Sequence, residues 1–224
     1  MNIGGIEPFS SVDWPGKLCA TVFLSGCPLR CEYCYNQHLQ GVQSAAISDD
    51  ELDSFINARK GLLDGIILSG GEPLMQKGVV PLAQRIKEKG FLVGLHTSGF
   101  YPTVLREILP HLDWVGFDYK TLFERYQDVT KTASSPFVKS SLSILLASKT
   151  PYEIRTTVDE RHFSETLLAL CEQELTLLGV SEWHLQVCQQ STREGALIPS
   201  TPSRELINRY MLAHPYTIAR LRTT

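Results

Sequence analysis

The 224-residue chain lacks the features that would assign it to a membrane, to nucleic acid or to a disulfide-built extracellular scaffold. No apolar run approaches the ~18–20 residues of a membrane-spanning helix. Neither sign of charge dominates: 21 lysines and arginines face 24 aspartates and glutamates, a formal net charge of −3. A basic stripe of the kind that follows a phosphate backbone is missing. Neither a membrane nor a nucleic-acid partner is therefore expected. Repeats, low-complexity tracts and long charge runs are missing too, and no convincing domain boundary interrupts the chain. The opening residues Met1 to Glu7 carry neither the charged nor the apolar region of a secretory signal. The expectation is a cytoplasmic protein, where thiols stay reduced and clustered cysteines bind metal rather than form disulfides.

What is present reads as one soluble globular domain spanning residues 1–224, with 43% hydrophobic and 20% charged residues. Short apolar runs alternate with helical patterns. Strand candidates are Lys17 to Ser25, Gly65 to Ser69, Phe91 to His96, Trp114 to Tyr119, Tyr152 to Val158 and Trp183 to Cys188, with a possible last strand at Thr217 to Leu221. Helices are expected from the capping box Ser48-Asp49-Asp50-Glu51 to about Lys60, from about Lys77 to Lys89 closed by Gly90, over Pro102 to Leu109, from Ser135-Pro136 onward, over Ser164 to Leu178 and over Ser203 to Ala213. Apolar strands alternating with helices imply parallel strands covered on both faces. Six or so such units are too few for a closed eight-stranded barrel. The predicted fold is an α/β, partial (open) parallel (β/α)6-type barrel, whose site belongs at the C-terminal ends of the strands.

The unusual segments all fall at that end. Cys27, Cys31 and Cys34 follow the first predicted strand as C-x3-C-x2-C. Gly70-Gly71-Glu72-Pro73 follows the second, His96-Thr97-Ser98-Gly99 ends the third, and Asp118-Tyr119-Lys120 ends the fourth. Thiolates are the ligands of iron–sulfur clusters, and a 4Fe–4S cube takes four. Three leave one iron open to a small molecule, and an open metal position marks reactive rather than structural sites. A structural zinc site remains open at this point, with His38 as fourth ligand in C-x3-C-x2-C-x3-H. Cys19, Cys171 and Cys188 stand apart and read as buried small hydrophobes.

With these motifs together, the chain resembles a radical S-adenosylmethionine (SAM) enzyme. The cysteine motif with aromatic Tyr33 before its last cysteine matches the family's first pattern, and Gly70-Gly71-Glu72-Pro73 its second. The leader Pro8-Phe9-Ser10-Ser11-Val12-Asp13-Trp14-Pro15-Gly16-Lys17 is similar to that of glycyl-radical-enzyme activases. Among them the chain most resembles the activating protein of anaerobic ribonucleoside-triphosphate reductase. The likeness runs from about Ile6 to Cys188 and is densest before Leu74.

The resemblance implies one 4Fe–4S cluster on Cys27, Cys31 and Cys34, with SAM bound to the open iron. It implies reductive cleavage of SAM to a 5′-deoxyadenosyl radical, which abstracts hydrogen from a glycine of a partner enzyme. Gly70 and Gly71 would hold the methionine ammonium and Glu72 would orient their turn. Lys120 would neutralise the SAM carboxylate beside Asp118, and Arg155 matches an arginine on strand five of many activases. Tyr33, Tyr35, Asn36 and Gln186 complete the implied cofactor contacts; Tyr35 departs from the histidine common at its position, and Asn36 matches. Gln186 and Cys188 lie on a strand that aligns loosely with the family's adenine-contacting strand, and His96 stands where many activases have an acidic residue. The remaining cysteines are too scattered to ligate a second cluster, so the electron is expected from a separate donor such as flavodoxin or ferredoxin. The runner-up is a small-molecule radical SAM enzyme acting on a pterin-like or nucleoside substrate; a zinc-stabilised binding module is the alternative from another class.

Overall fold

The computed structural model describes residues 1–191 and 196–222. In chain order its strands and helices are β1 (Ile3–Ser10), β2 (Cys19–Leu24), α1 (Asp49–Ala58), β3 (Gly65–Gly70), α2 (Val79–Glu88), β4 (Leu92–Thr97), α3 (Pro102–Ile108), β5 (Trp114–Asp118), α4 (Tyr126–Thr130), α5 (Ser135–Leu146), β6 (Tyr152–Val158), α6 (Glu165–Leu177), β7 (Trp183–Val187), β8 (Gln189–Ser191), β9 (Leu197–Pro199), α7 (Thr201–Ala213) and β10 (Ala219–Leu221). The βα alternation of the sequence is thus realised. The chain divides into two compact units: Met1–Leu29, Asn36–Phe117 and Pro136–Tyr152 form the first, and Arg30–Tyr35, Asp118–Ser135 and Glu153–Thr224 the second.

In the first unit β2, β3, β4 and β5 run parallel, in registers that pair Val22 with Leu68, Leu68 with Leu95 and Leu95 with Val115. Strand β3 is buried along nearly all of its length, as expected where both faces of a parallel sheet are covered. The predicted capping box forms: Glu51 N donates to Ser48 Oγ at 3.2 Å and Ser48 N donates to Glu51 Oε2 at 2.8 Å. Gly90, just past α2, takes φ +92°, a left-handed conformation that glycine adopts without cost.

Strand β1 was not among the expected strands. It pairs antiparallel with β2, Ile6 opposite Val22, at the sheet edge. Its sequence IGGIEPFS carries two glycines and a proline, which an edge strand tolerates because one side of its backbone needs no ladder partner. Composition alone therefore hid it.

The leader folds back onto the sheet face formed by alternate residues of β3 and β4. Trp14, only 5% exposed, stacks on Trp114 with ring centroids 5.6 Å apart. Its slot exists because two neighbours lack side chains: a Cβ on Gly65 or Gly94 would lie 3.0 Å from the indole. Thr21 Oγ1 donates to Asp13 Oδ2 at 2.9 Å. His96 meets the backbone carbonyl of Asp13 through Nε2 at 3.0 Å and Ser69 Oγ through Nδ1 at 3.4 Å, with its ring edge-on to Trp114. His96 thus latches the leader to β3 and β4.

In the second unit β6, β7 and β10 run parallel, pairing Thr156 with Leu185 and Leu185 with Leu221. The short hairpin β8–β9 is an addition to the sequence expectation, since three-residue strands leave too little pattern to read. The interior is aromatic. Trp183 Nε1 donates to Thr156 Oγ1 at 2.8 Å, and the Tyr119 hydroxyl donates to Glu174 Oε1 at 2.6 Å, so each polar tip is satisfied inside the core. No helix among the described residues is long and apolar enough to cross a membrane.

Trp14→Ala empties the slot between Gly65, Gly94 and Trp114, and the fold should lose about 3–5 kcal/mol. A urea unfolding midpoint equal to that of the unaltered protein would show that the indole does not carry this packing.

Candidate functional site

In the first unit the site residues gather where β2, β3 and β4 end. Gly71 N donates to Leu24 O at 2.8 Å, and Glu72 N donates to Gly26 O at 2.8 Å. Gly26 N and Cys27 N donate in turn to Leu39 O at 2.7 Å and Gln40 O at 3.0 Å. The root of the cysteine loop is therefore laced between the glycine turn and the segment following Asn36. This close approach demands the two glycines. Gly70 adopts φ +123°, and a Cβ there would sit 2.3 Å from Leu24 N and O; a Cβ on Gly71 would sit 2.3 Å from Gly26 O. Asn36 Nδ2 reaches Gly70 O at 3.5 Å.

Glu72 is the hub of this end. Its side chain is fully buried and accepts four hydrogen bonds: from Leu74 N at 3.1 Å, Thr97 Oγ1 at 2.8 Å, Ser98 N at 2.8 Å and Ser98 Oγ at 2.5 Å. Burial pushes its carboxyl upward, and the donors from Ser98, Thr97 and Leu74 pull against that shift. The orienting role expected of Glu72 thus has a physical form, a carboxylate that ties the end of β3 to the end of β4. The contribution of Thr97 and Ser98 was not read from the sequence, although two hydroxyl residues at a strand end were its visible trace.

In the second unit Asp118, Lys120 and Arg155 form one cluster. Arg155 Nε and a terminal nitrogen donate to Asp118 Oδ1 at 3.1 and 2.9 Å, and Lys120 Nζ donates to Asp118 Oδ2 at 3.1 Å. The Arg155 side chain is 5% exposed and that of Lys120 13%, so neither is a solvated surface ion pair. Burial works against the Lys120 ammonium, but the Asp118 carboxylate more than offsets it and holds its pKa well above the ordinary lysine value. Lys120 and Arg155 thus bring two cationic groups to one carboxylate, a grouping of side chains that can take an anionic ligand.

Tyr33 lies under this cluster, with Lys120 Nζ 5.9 Å from its ring centroid. Its hydroxyl is buried without a hydrogen-bond partner among the described residues, which is unusual for a buried phenol and fits a ligand contact. Cys31 is buried beside it, and burial pushes its thiol up. Tyr35 accepts a hydrogen bond from Gln189 N at 3.2 Å, and burial pushes its phenol to about 12. Tyr35, Gln186, Gln189, Arg204 and Arg222 line a cavity of about 200 Å3, so Tyr35 and Gln186 meet the same space. Cys188 is buried beside that strand end and is not part of the lining.

Cys27 belongs to the first unit and Cys31 and Cys34 to the second. All six cysteines are free thiols. Among the described residues no three Cys, His, Asp or Glu side chains are already gathered as a metal cage. The fit of an iron–sulfur cluster and SAM therefore rests on donor chemistry: three unbridged thiols in one loop, a buried cationic pair and an orphaned buried phenol.

Residues 21–159 match the model of the radical SAM superfamily. A putative glycyl-radical enzyme activating enzyme of Methanocaldococcus jannaschii is 37% identical over 137 residues, covering 58% of this chain and 54% of the relative. A pyruvate formate-lyase-activating enzyme of Clostridium pasteurianum is 33% identical over 125 residues, covering 53% of this chain and 52% of the relative. The chain thus spans about half the length of the curated relatives it matches. The crystal structure of Streptococcus suis SuiB bound to precursor peptide SuiA superposes with a TM-score of 0.68 at 11% identity, over 91% of this chain and 48% of that one. Archaeal TYW1 superposes with a TM-score of 0.56 at 15% identity, over 87% of this chain and 71% of that one. These likenesses show the fold, α/β with an open parallel sheet, as the sequence predicts.

Glu72→Gln turns one carboxylate oxygen into an NH2 group, which then faces either the Leu74 N–H or the Ser98 N–H. It should lower stability by about 1–3 kcal/mol for each donor left unsatisfied; an unchanged denaturation midpoint would refute the hub.

Proposed function

The chain belongs to the radical SAM superfamily, and from that premise we propose that it activates a glycyl-radical enzyme. The observation that carries this reading is the 37% and 33% identity to activating enzymes of that kind, each over more than half of the chain. The superfamily implies a 4Fe–4S cluster and SAM, which when bound would supply one-electron chemistry able to take a hydrogen atom from the partner's glycine.

The protein's own part is binding, orientation and exclusion. Cys27, Cys31 and Cys34 would hold the cluster through their three thiolates. Gly70 and Gly71 offer peptide groups at the strand end, kept in place by Glu72 and by Asn36. Lys120 stays protonated at neutral pH and, with Arg155, attracts the SAM carboxylate, while Asp118 keeps both cations aligned. Tyr33 offers its buried hydroxyl and ring to the same ligand, and Tyr35 and Gln186 bound the neighbouring cavity. The partner we favour is anaerobic ribonucleoside-triphosphate reductase, on the leader Pro8 to Lys17. Because Trp14 of that leader is buried in the first unit, the leader supports the assignment as a mark of subfamily packing and not as a docking surface. The electron donor is a separate flavodoxin or ferredoxin.

Alanine at Cys27, Cys31 or Cys34 should abolish reductive SAM cleavage in the anaerobically reconstituted protein, and retained cleavage would remove that residue from the ligand set. Lys120→Ala should raise the SAM dissociation constant about tenfold, the scale of one charge-assisted hydrogen bond, with iron content unchanged. Incubation with the reductase, SAM and reductant should yield a glycyl doublet in electron paramagnetic resonance. Turnover of a small metabolite without any protein partner would overturn the activase reading.

A further inference from the structure

The loop carrying Cys31 and Cys34 is gripped on both sides of Cys31 by other parts of the second unit. Arg30 N donates to Thr130 O at 2.8 Å. Glu32, between the two cysteines, places one carboxylate oxygen 2.9 Å from Lys131 Nζ and the other 3.2 Å from His162 Nε2. The ring of Tyr33 meets that of His162 edge-on at 6.4 Å.

The gripping segment is itself unusual. Lys131 has φ +56° and ψ 20°, the one non-glycine residue with left-handed backbone among the described residues. A lysine rarely takes this conformation, and it persists where the surroundings over-determine it. Here they do. Lys131 N donates to Gln127 O at 3.0 Å, ending α4, and its ammonium also donates to Asp128 O at 2.8 Å. Thr130 is fully buried, with its hydroxyl donating to Tyr126 O at 2.7 Å. The left-handed turn thus points the Thr130 carbonyl and the Lys131 ammonium to two places on one short loop.

We propose that Thr130, Lys131 and His162 form a clamp that shapes the cysteine loop before any cluster is bound, with Lys131 and Glu32 as positioning residues for Cys31 and Cys34. The functional meaning of the clamp rests on the reading of those cysteines as cluster ligands; its existence does not. Glu32 and Lys131 act through the path of the backbone between the cysteines.

Alkylation of the cluster-free protein by iodoacetamide, followed residue by residue by mass spectrometry, tests the clamp directly. Glu32→Gln and Lys131→Gly should each raise the rate at Cys31 about two- to fivefold, what one exposed ion pair can hold. Glycine at position 131 keeps the left-handed turn and removes the side chain, with its ammonium contacts to Glu32 and Asp128. The two variants change the local charge in opposite directions, so a rise in both reads release of the loop rather than a change in thiol acidity. The rate at Cys171, buried in the core of the same unit, should stay unchanged and so exclude general unfolding. The charge-swapped pair, Glu32→Lys with Lys131→Glu, should slow Cys31 again toward the unaltered rate. Unchanged reactivity in the single variants, or a swapped pair as fast as they are, would overturn the clamp. Failure of the unaltered protein to take up iron and sulfide would instead refute the cluster reading, and the alkylation rates would still decide the clamp.

Discussion

A buried carboxylate organises one end of the first unit. Taking an ionised side chain out of water is costly unless hydrogen bonds replace the lost hydration. Glu72 meets that condition with four donors, two from backbone and two from hydroxyls, drawn from its own turn and from the end of β4. Its backbone N–H holds Gly26, the residue before Cys27. Glu72, through its backbone and its carboxylate together, therefore fixes three chain segments against one another: the root of the cysteine loop, the glycine turn and the Thr97–Ser98 corner. Gly70 and Gly71 belong to the same constraint, because any side chain at either position would occupy space already filled by Leu24 or Gly26 backbone.

The second unit uses the same device with the sign inverted. Asp118 lies between Lys120 and Arg155 and pairs with both. Such a cluster is stable while the two cations share a carboxylate, and it retains attraction for a further anion. The supporting layer is aromatic and hydrogen-bonded: Trp183 to Thr156, Thr156 to the Tyr119 carbonyl, and Tyr119 to Glu174. These bonds hold β6 and the segment after β5 in position, and Arg155 and Lys120 with them. In the first unit Trp14, far in sequence from Trp114, fills the sheet face with an indole instead of a helix. A cofactor site of the kind the superfamily carries depends on such rigid support, because its donors are few and widely spaced in the chain.

Much of this was written in the residues. The βα alternation, the capping box at Ser48, the end of α2 at Gly90 and the C-terminal placement of the cysteine, glycine and lysine segments all depend on local pattern, and local pattern survives without coordinates. Strand β1 escaped because its glycines and proline are tolerable only at an edge, and being an edge is a property of the assembled sheet. The roles of Thr97 and Ser98 escaped because a hydroxyl pair has meaning only once a buried acceptor is known to face it. Lys131 had no signal at all: nothing in its neighbours demands a left-handed lysine.

The sequence by itself determined which chemistry is available, since thiol number and spacing, glycine pairs and charged residues are properties of covalent order. It also determined the fold class, since hydrophobic period selects helix or strand. Only the tertiary structure decided how those groups are held. It buried Glu72 among four donors, joined Lys120 and Arg155 on one aspartate, turned the leader into packing for the sheet and brought Lys131 to Glu32 across about a hundred residues of chain. Each of these is a meeting of segments remote in sequence, and it is packing, which conserves space and satisfies buried polar atoms, that chooses such meetings.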